Sequence, residues 1–489
     1  MRKSTVISIA GAMLFTIIFY CQKDGVNYLV FTVFVSAATL AINPMLYKKM
    51  LWWLVTLSAI VSGVAMAYYG NNLAWLANVA ALLLLVGISA SPVSSGFIAF
   101  FHALVSMLLT VVSLAKNLFS KTEEQKVFRL KQAVLYVLPL LATLVFFGLY
   151  RMANPLFAEI TNKITINFPS MGQVLFTGVG FYLLYGWFHP FLFQYILKTD
   201  AGALNYLPSI SEEEHRQTLW SEFVSLEAER KSALILFALL NLLLLSVNLI
   251  DVYYGFIAKV LPTGLTLSAY LHDGTNALIV SIVMAVAMVL IVFRGYLNFD
   301  DKADSIKWLV YIWIAQNVIT IITTLNRNLL YINEYGLTHR RIGVFVFLVL
   351  CIGGLLLTFL KVNSKLSNWF LLRSNWWMVY GFLIAGAWIN WDVIIFKHNM
   401  NLAALQHTEP DDYFLISLSH TATPAMLEMY AAQQKSGHGI FTKRMEHDLH
   451  YRIEQSRERV EYDDWPSQLL MHHIIVKKAE QLNLITTVP

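Results

Sequence analysis

NLAWLANVAALLLLVGISA, residues 72–90, carries no charged side chain and ends at the Ser91-Pro92 breaker. A bilayer core of about 30 Å takes roughly 20 apolar residues in a helix, so this stretch alone is long enough to cross. Eleven more stretches of the same kind surround it, at 5–21, 26–43, 51–69, 95–115, 131–150, 172–196, 232–250, 275–293, 305–326, 341–360 and 376–394. Turn and breaker signals separate several of them, among them Asn43-Pro44, Gly70-Asn71-Asn72 and Pro262-Thr263-Gly264. Trp52-Trp53, Trp75, Trp376-Trp377 and Trp391 stand near span ends, where amphipathic rings prefer the headgroup layer. The expected fold is therefore an all-α integral membrane protein. About twelve transmembrane helices fill a polytopic domain over 1–394, and a small helical extramembrane C-terminal domain occupies 395–489.

Composition agrees with that class. Hydrophobic residues make up 57% of the chain and charged ones 13%, against about 25% charged in a soluble domain. The net charge of +5 is spread through loops, which leaves no concentrated basic face for nucleic acid. Cys21 and Cys351 lie at or inside apolar stretches and read as small apolar residues ahead of a disulfide. Met1-Arg2-Lys3 and the apolar run to Tyr20 have the start of a signal peptide but no small-residue cleavage site, so an uncleaved first helix is expected. The charged segments 120–131 and 198–231, the latter with a helix-start signal at Ser211-Glu-Glu-Glu214, read as solvated surface.

Twelve crossings place both chain ends on one side. Ten Lys and Arg then fall on the side of the ends and sixteen on the other. The positive-inside rule puts the second side in the cytoplasm and the tail outside, in what reads as the cytoplasmic (inner) membrane of a bacterium. Arg2 and Lys3 point the other way.

Ionisable groups near membrane depth are costly and mark candidate sites. Asp251, His272, Asp273, Arg327, Glu334, Arg340, Arg341 and Asp392 all fall toward the tail side in the twelve-span count, and His189 alone falls toward the other. They are the candidates for a ligand or anion site. Asn241, Asn248 and Asp251, spaced by seven and three, share one helix face, as do Asn317, Asn326 and Arg327. Such stripes fix helix packing by hydrogen bonds or line a polar cavity. In the string Asn326 to Arg341, Gly336 permits a tight turn and Thr338 is placed to cap the next helix. Arg327 and Glu334 can pair across the connection, and Arg340-Arg341 at a helix start call for an anionic partner: lipid phosphate, Asp392, Asp273 or a ligand.

The tail reads as helices: one after Thr423-Pro424, a mixed-charge one over 440–460 and one from Pro466 to 483. It holds 8 of the 13 histidines, including His447 and His450 at helical spacing, but two ligands without a third are a weak metal signal. Asp411-Asp412 and Asp463-Asp464 read as turn or cap acids. GxxxxGK[ST], GxSxG, HExxH and CxxC are absent from the sequence. No catalytic residue, metal or cofactor is expected on these grounds.

Several strings carry a family resemblance: Tyr270-Leu271-His272-Asp273-Gly274, the run from Arg327 to Tyr335-Gly336-Leu337-Thr338 with Arg340, and Asn390-Trp391-Asp392 leading to Asn399. Asp412-Tyr413-Phe414, Leu418-Ser419 and Pro424-Ala425-Met426-Leu427 extend it into the tail. At these positions the chain resembles a bacterial membrane family catalogued as domain of unknown function number 4173, kin to number 4153. The resemblance implies a polytopic membrane protein and brings no chemistry with it.

Three functions are compatible with these residues. The first is a non-enzymatic envelope protein that senses or scaffolds through a polar chamber on the tail side, with the bilayer, an anionic lipid or a protein partner of the C-terminal domain as its contacts. The second is a transporter of a small or lipidic substrate, which calls for polar groups at the midplane and broken helices. The third is an enzyme acting on a phosphate-bearing lipid or polyprenyl substrate. There Arg327, Arg340 and Arg341 would hold phosphate, and Asp273, Glu334 or His272 would act as acid or base.

Overall fold

The computed structural model describes residues 3–119, 143, 146–154, 157, 169–191, 193–207, 225–258, 275–293, 296–437 and 439–484. Over these residues the protein is helical, with one isolated antiparallel bridge between Tyr206 and Leu366. Five helices are long and apolar enough to cross a membrane: Met50–Tyr69, Asn72–Ala90, Leu226–Ile257, Asp304–Tyr335 and His339–Asn363. Asn368–Gly386 and Trp391–Gln406, bent by 67° at their junction, make a sixth if they form one span. Among the described residues this is the helix inventory of a membrane-embedded protein, and the twelve crossings suggested by hydropathy are not confirmed.

Two of the twelve expected stretches are interrupted within the described residues. The stretch 95–115 is divided at Leu109 between Gly96–Leu108 and Thr110–Phe119. The stretch 376–394 straddles the bend, because Asn390 ends the approach and caps a new helix, accepting from Val393 N at 3.2 Å. Most of 131–150 lies outside the described residues, as do Ser211 to Glu214.

Two compact units emerge. The first comprises 1–201, 386–388 and 454–477; the second comprises 202–385, 389–453 and 478–489. In the first, α1 (Lys3–Phe19), α2 (Asn27–Ile42), α3 (Met50–Tyr69), α4 (Asn72–Ala90), α5 (Gly96–Leu108), α6 (Thr110–Phe119) and α7 (Met171–Phe188) pack together, and α8 (Gln194–Gly202) follows. Small residues let these helices approach closely, as apolar surroundings require when lipid offers no hydrophobic drive. A Cβ built on Gly87 of α4 would collide with the Ala99 carbonyl oxygen of α5. Asn78, buried in the middle of α4, donates to Thr32 Oγ1 at 2.9 Å and ties α4 to α2.

Three contacts fix the direction of α7. Tyr20 Oη meets Ser170 Oγ at 3.3 Å, Thr16 Oγ1 meets Thr177 Oγ1 at 2.7 Å, and Ser4 Oγ meets His189 Nε2 at 2.7 Å. Thus α1 and α7 are antiparallel, whereas the first and seventh of twelve spans would run the same way. The segment 463–468 also lies at the α1–α2 connection: Lys23 Nζ pairs with Asp463 at 2.7 Å and Val26 N donates to Gln468 O at 3.1 Å. That is the end of α1 remote from Lys3. Within the first unit the segment 463–468 and Lys3 thus lie at opposite ends of α1, and the count of twelve that placed the tail and the amino terminus on one side is not confirmed.

The second unit contains α9 (Leu226–Val252, continued by a π-helical turn Tyr253–Ala258), α10 (Thr275–Val292), α11 (Asp304–Tyr335), α12 (His339–Asn363) and α13 (Asn368–Gly386). After the bend come α14 (Trp391–Gln406), α15 (Asp412–Ile416), α16 (Thr423–Ser436) and the first half of α17 (Lys443–Tyr462). The last helix, α18, covers Leu470–Gln481. The core of the second unit brings Phe237 of α9, Phe293 after α10, Trp313 of α11 and Leu348 and Leu355 of α12 together. Phe237 and Trp313 meet edge to face at 5.4 Å.

Candidate functional site

The polar residues of α9 and α11 interlock along the whole contact. Asn241 Nδ2 donates to Leu309 O at 2.9 Å and Gln316 Nε2 donates to Asn241 Oδ1 at 2.7 Å. One step on, Asn248 Nδ2 donates to Gln316 O at 2.9 Å and Thr320 Oγ1 to Asn248 Oδ1 at 2.8 Å. The ladder ends in an ion pair, Arg327 to Asp251 at 3.2 Å, with side chains only 13% and 12% exposed. Beyond it Asn326 Nδ2 reaches Gly255 O, a carbonyl of the π-helical turn, at 3.3 Å. Of the two uses of a polar stripe, these residues serve helix packing. Asn317 turns back on its own helix, donating to Trp313 O at 2.8 Å.

Arg327 therefore does not pair with Glu334. The helix continues unbroken through Tyr335, and seven residues of α-helix separate the two by about 10 Å along the axis. Glu334 is exposed at the helix end.

Gly336 has φ +79° and ψ 178°, a conformation left to glycine, and turns the chain from α11 into α12. Thr338 caps α12 by accepting from Arg341 N, as its position in the sequence suggests. The turn is held from two sides. Asn399 of α14 accepts from Leu337 N at 2.6 Å and donates to Leu337 O at 2.9 Å. Arg341 folds back over the Tyr331 ring at 4.1 Å and donates to the carbonyls of Tyr335, at 2.9 Å, and Gly336. Its charge is thus met by the negative end of α11, which is why no carboxylate is needed there. Arg340 is exposed and has no ion-pair partner among the described residues.

Asp392 serves His339 rather than an arginine. His339 Nε2 lies 2.7 Å from Asp392 Oδ1, while the other carboxylate oxygen accepts from Ser419 Oγ and, at 3.0 Å, from Thr421 Oγ1. Asn390 closes the loop by donating to Thr421 O at 3.0 Å. The order is His–Asp–Ser, with the carboxylate in the middle. A nucleophilic serine would need the imidazole between it and the acid, so this arrangement ties α12, α14 and the turn 419–422 together without activating Ser419.

Behind that turn, buried Arg452 of α17 donates to Ile416 O at 2.6 Å, Leu418 O at 2.8 Å and Ser419 O at 3.0 Å, and pairs with Asp448 at 2.5 Å. Nearby, Tyr430 donates to Glu446, whose carboxylate holds the phenol above its usual pKa. His272 and Asp273 lie outside the described residues. Among the described residues no group of three or more His, Cys, Asp or Glu is placed to hold a metal.

Sequence reasoning passed over several of these residues. Lys361, which directly follows the apolar stretch 341–360, sits in the last turn of α12, fully buried, and donates to Phe293 O at 2.7 Å just beyond α10. Arg452 looked like one charge among many on a solvated helix. Its burial depends on carbonyls 33 to 36 residues away, which no local pattern announces. In the first unit Asp200, within a segment read as solvated, is buried and accepts from Ser95 N at 2.6 Å at the start of α5.

No curated protein and no solved structure matches this chain. The family model that does match is number 4153, the one named above as kin; nothing shows the closer relationship to number 4173. The match covers residues 5–429 and so runs past the bend at 386–391 into α16. By this match the chain belongs to the family described as a domain of unknown function (DUF4153).

Proposed function

We propose that this protein is a non-enzymatic multi-pass scaffold of the bacterial cytoplasmic membrane, in which the polar end of the second unit locks the membrane helices to the segment that follows them. One observation carries the reading: four of the eight candidate residues, Asp251, Arg327, Arg341 and Asp392, are engaged by partners within the protein and by helix ends. Asp251 holds Arg327, Asp392 holds His339, and Arg341 holds the carbonyls of Tyr335 and Gly336. A phosphate-binding enzyme would keep such arginines available for its substrate. Arg340 and Glu334 stay on the exposed rim and form the side open to a partner or an anionic headgroup.

The distribution of basic residues in the first unit supports one side of the membrane for the docked segment. Lys3, Lys48 and Lys49 flank one end of its helices, with Arg2 beside them in sequence. Lys23 stands at the other end, where 463–468 docks. By the positive-inside rule this asymmetry favours the non-cytoplasmic face for the docked segment.

A transporter reading draws on the 67° break between α13 and α14 and on the π-helical turn after α9, features shared with discontinuous transport helices. The polar groups at those breaks are engaged in caps and ion pairs, which favours the scaffold. The test is a titration of the purified protein with short-chain phosphatidylglycerol and with inorganic phosphate, read by thermal unfolding. The scaffold reading expects no saturable stabilisation that Arg327→Gln removes. A saturable rise lost in that variant would replace it with a ligand-binding function.

A further inference from the structure

We propose that the segment Tyr462–Leu470 is a bilayer-surface anchor whose partner is the headgroup layer of the membrane the apolar helices cross. Its height is fixed by three helix ends of the first unit. Gly70 joins α3 to α4, both long and apolar enough to cross, and a Cβ there would lie 2.7 Å from Leu469 Cδ1. Gln468 O accepts from Val26 N, one residue before α2 begins. Lys23, just beyond α1, donates from its backbone N to Ser467 Oγ at 2.9 Å and pairs with Asp463. Helix ends of this kind mark the boundary between hydrocarbon and water.

The polar groups of the segment are spent on this docking, while its large rings are not. Ser467 Oγ donates to Gln22 at 2.6 Å and Gln22 donates to Asp464 at 3.0 Å. Tyr462 is 75% exposed, Trp465 58% and Leu470 51%. The same boundary already carries aromatic residues of the apolar helices. Trp75 stands in the first turn of α4, and Tyr69 at the end of α3 donates to Trp388 O at 3.1 Å. Tyr and Trp concentrate at that depth because the ring is apolar and its OH or NH is met by headgroups and water. A pinned backbone that presents a tyrosine, a tryptophan and a leucine at this height is suited to lipid. The inference is independent of what the polar end of the second unit does.

The test places a nitroxide at position 465 (Trp465→Cys) in the full chain with Cys21→Ser and Cys351→Ser, in nanodiscs of phosphatidylcholine alone. Collisions with molecular oxygen and with a water-soluble nickel chelate report depth. Free cysteine carrying the same nitroxide, in buffer, serves as the aqueous reference. The expected result is an oxygen-to-nickel ratio at 465 several-fold above the reference. Because Trp465→Cys removes part of the anchor, a second label at Tyr462→Cys with Trp465 retained must show the same shift. Ratios at both positions equal to the reference overturn the proposal and leave the exposed rings for a protein partner.

Discussion

At the scale of single residues, the connection between α11 and α12 concentrates most of its constraint on Gly336 and Asn399. Any side chain at 336 meets the Asn399 amide, 2.7 Å from where its Cβ would stand, and strains a backbone at φ +79°. Conformations of that kind cost about 1–3 kcal/mol outside glycine. Gly336→Ala is therefore expected to lower the melting temperature measurably in detergent, and Asn399→Ala to do the same by freeing both Leu337 backbone groups. Equal melting curves for Gly336→Ala and wild type would show that the turn is not held as described. The Arg327–Asp251 pair gives a second expectation. Removing one partner leaves a partly desolvated, unmatched charge, and the cost of about 3–5 kcal/mol known for fully buried pairs is the upper limit for this part-buried one. Arg327→Gln alone should destabilise strongly, and Asp251→Asn added to it should recover most of the loss. A double variant as unstable as the sum of the singles would mean that the two side chains act separately.

At the scale of elements, the α9–α11 contact was half legible in the sequence. Asn241, Asn248 and Asp251 at helical spacing disclose a polar face, because periodicity is a local property. What they meet is not local: Gln316 and Thr320 are 68 to 75 residues away, and no spacing selects them. The cap at Thr338 and the turn at Gly336 were legible for the same local reason. The break of the last apolar stretch was not, since hydropathy averages over Ile389-Asn390 and sees a continuous run. Asp392 was singled out as a charge, but its partners His339, Ser419 and Thr421 come from two other segments. If the ladder is a packing device, its rungs should be replaceable in pairs. An interhelical hydrogen bond in lipid contributes about 1 kcal/mol. Asn241→Leu or Gln316→Leu alone should each destabilise by about that much or more, and the double variant by less than the sum. Additive losses in a thermal or denaturant series would argue against direct pairing.

At the scale of the whole molecule, the decisive quantity is the number of crossings, and there hydropathy is weakest. It registers apolar length without direction, so a divided or unfinished crossing changes the parity of everything after it. The antiparallel course of α1 and α7, and the docking of 463–468 at the α1–α2 connection, are direct statements about direction within the first unit. They make a topological prediction that the count of spans cannot. Cys21 is exposed beside the docked segment, while Tyr47, also exposed, lies between α2 and α3 at the opposite end. With Cys351→Ser in both, a membrane-impermeant maleimide applied to right-side-out vesicles should label Cys21. It should leave Tyr47→Cys, in a Cys21→Ser background, unlabelled until the vesicles are opened. Labelling of both from one side would mean that α2 does not cross. Labelling of Tyr47→Cys alone would keep the crossing but turn the molecule over. The segment 463–468 would then face the cytoplasm, and the assignment drawn from Lys3, Lys48 and Lys49 would fail while the fold of the first unit stood.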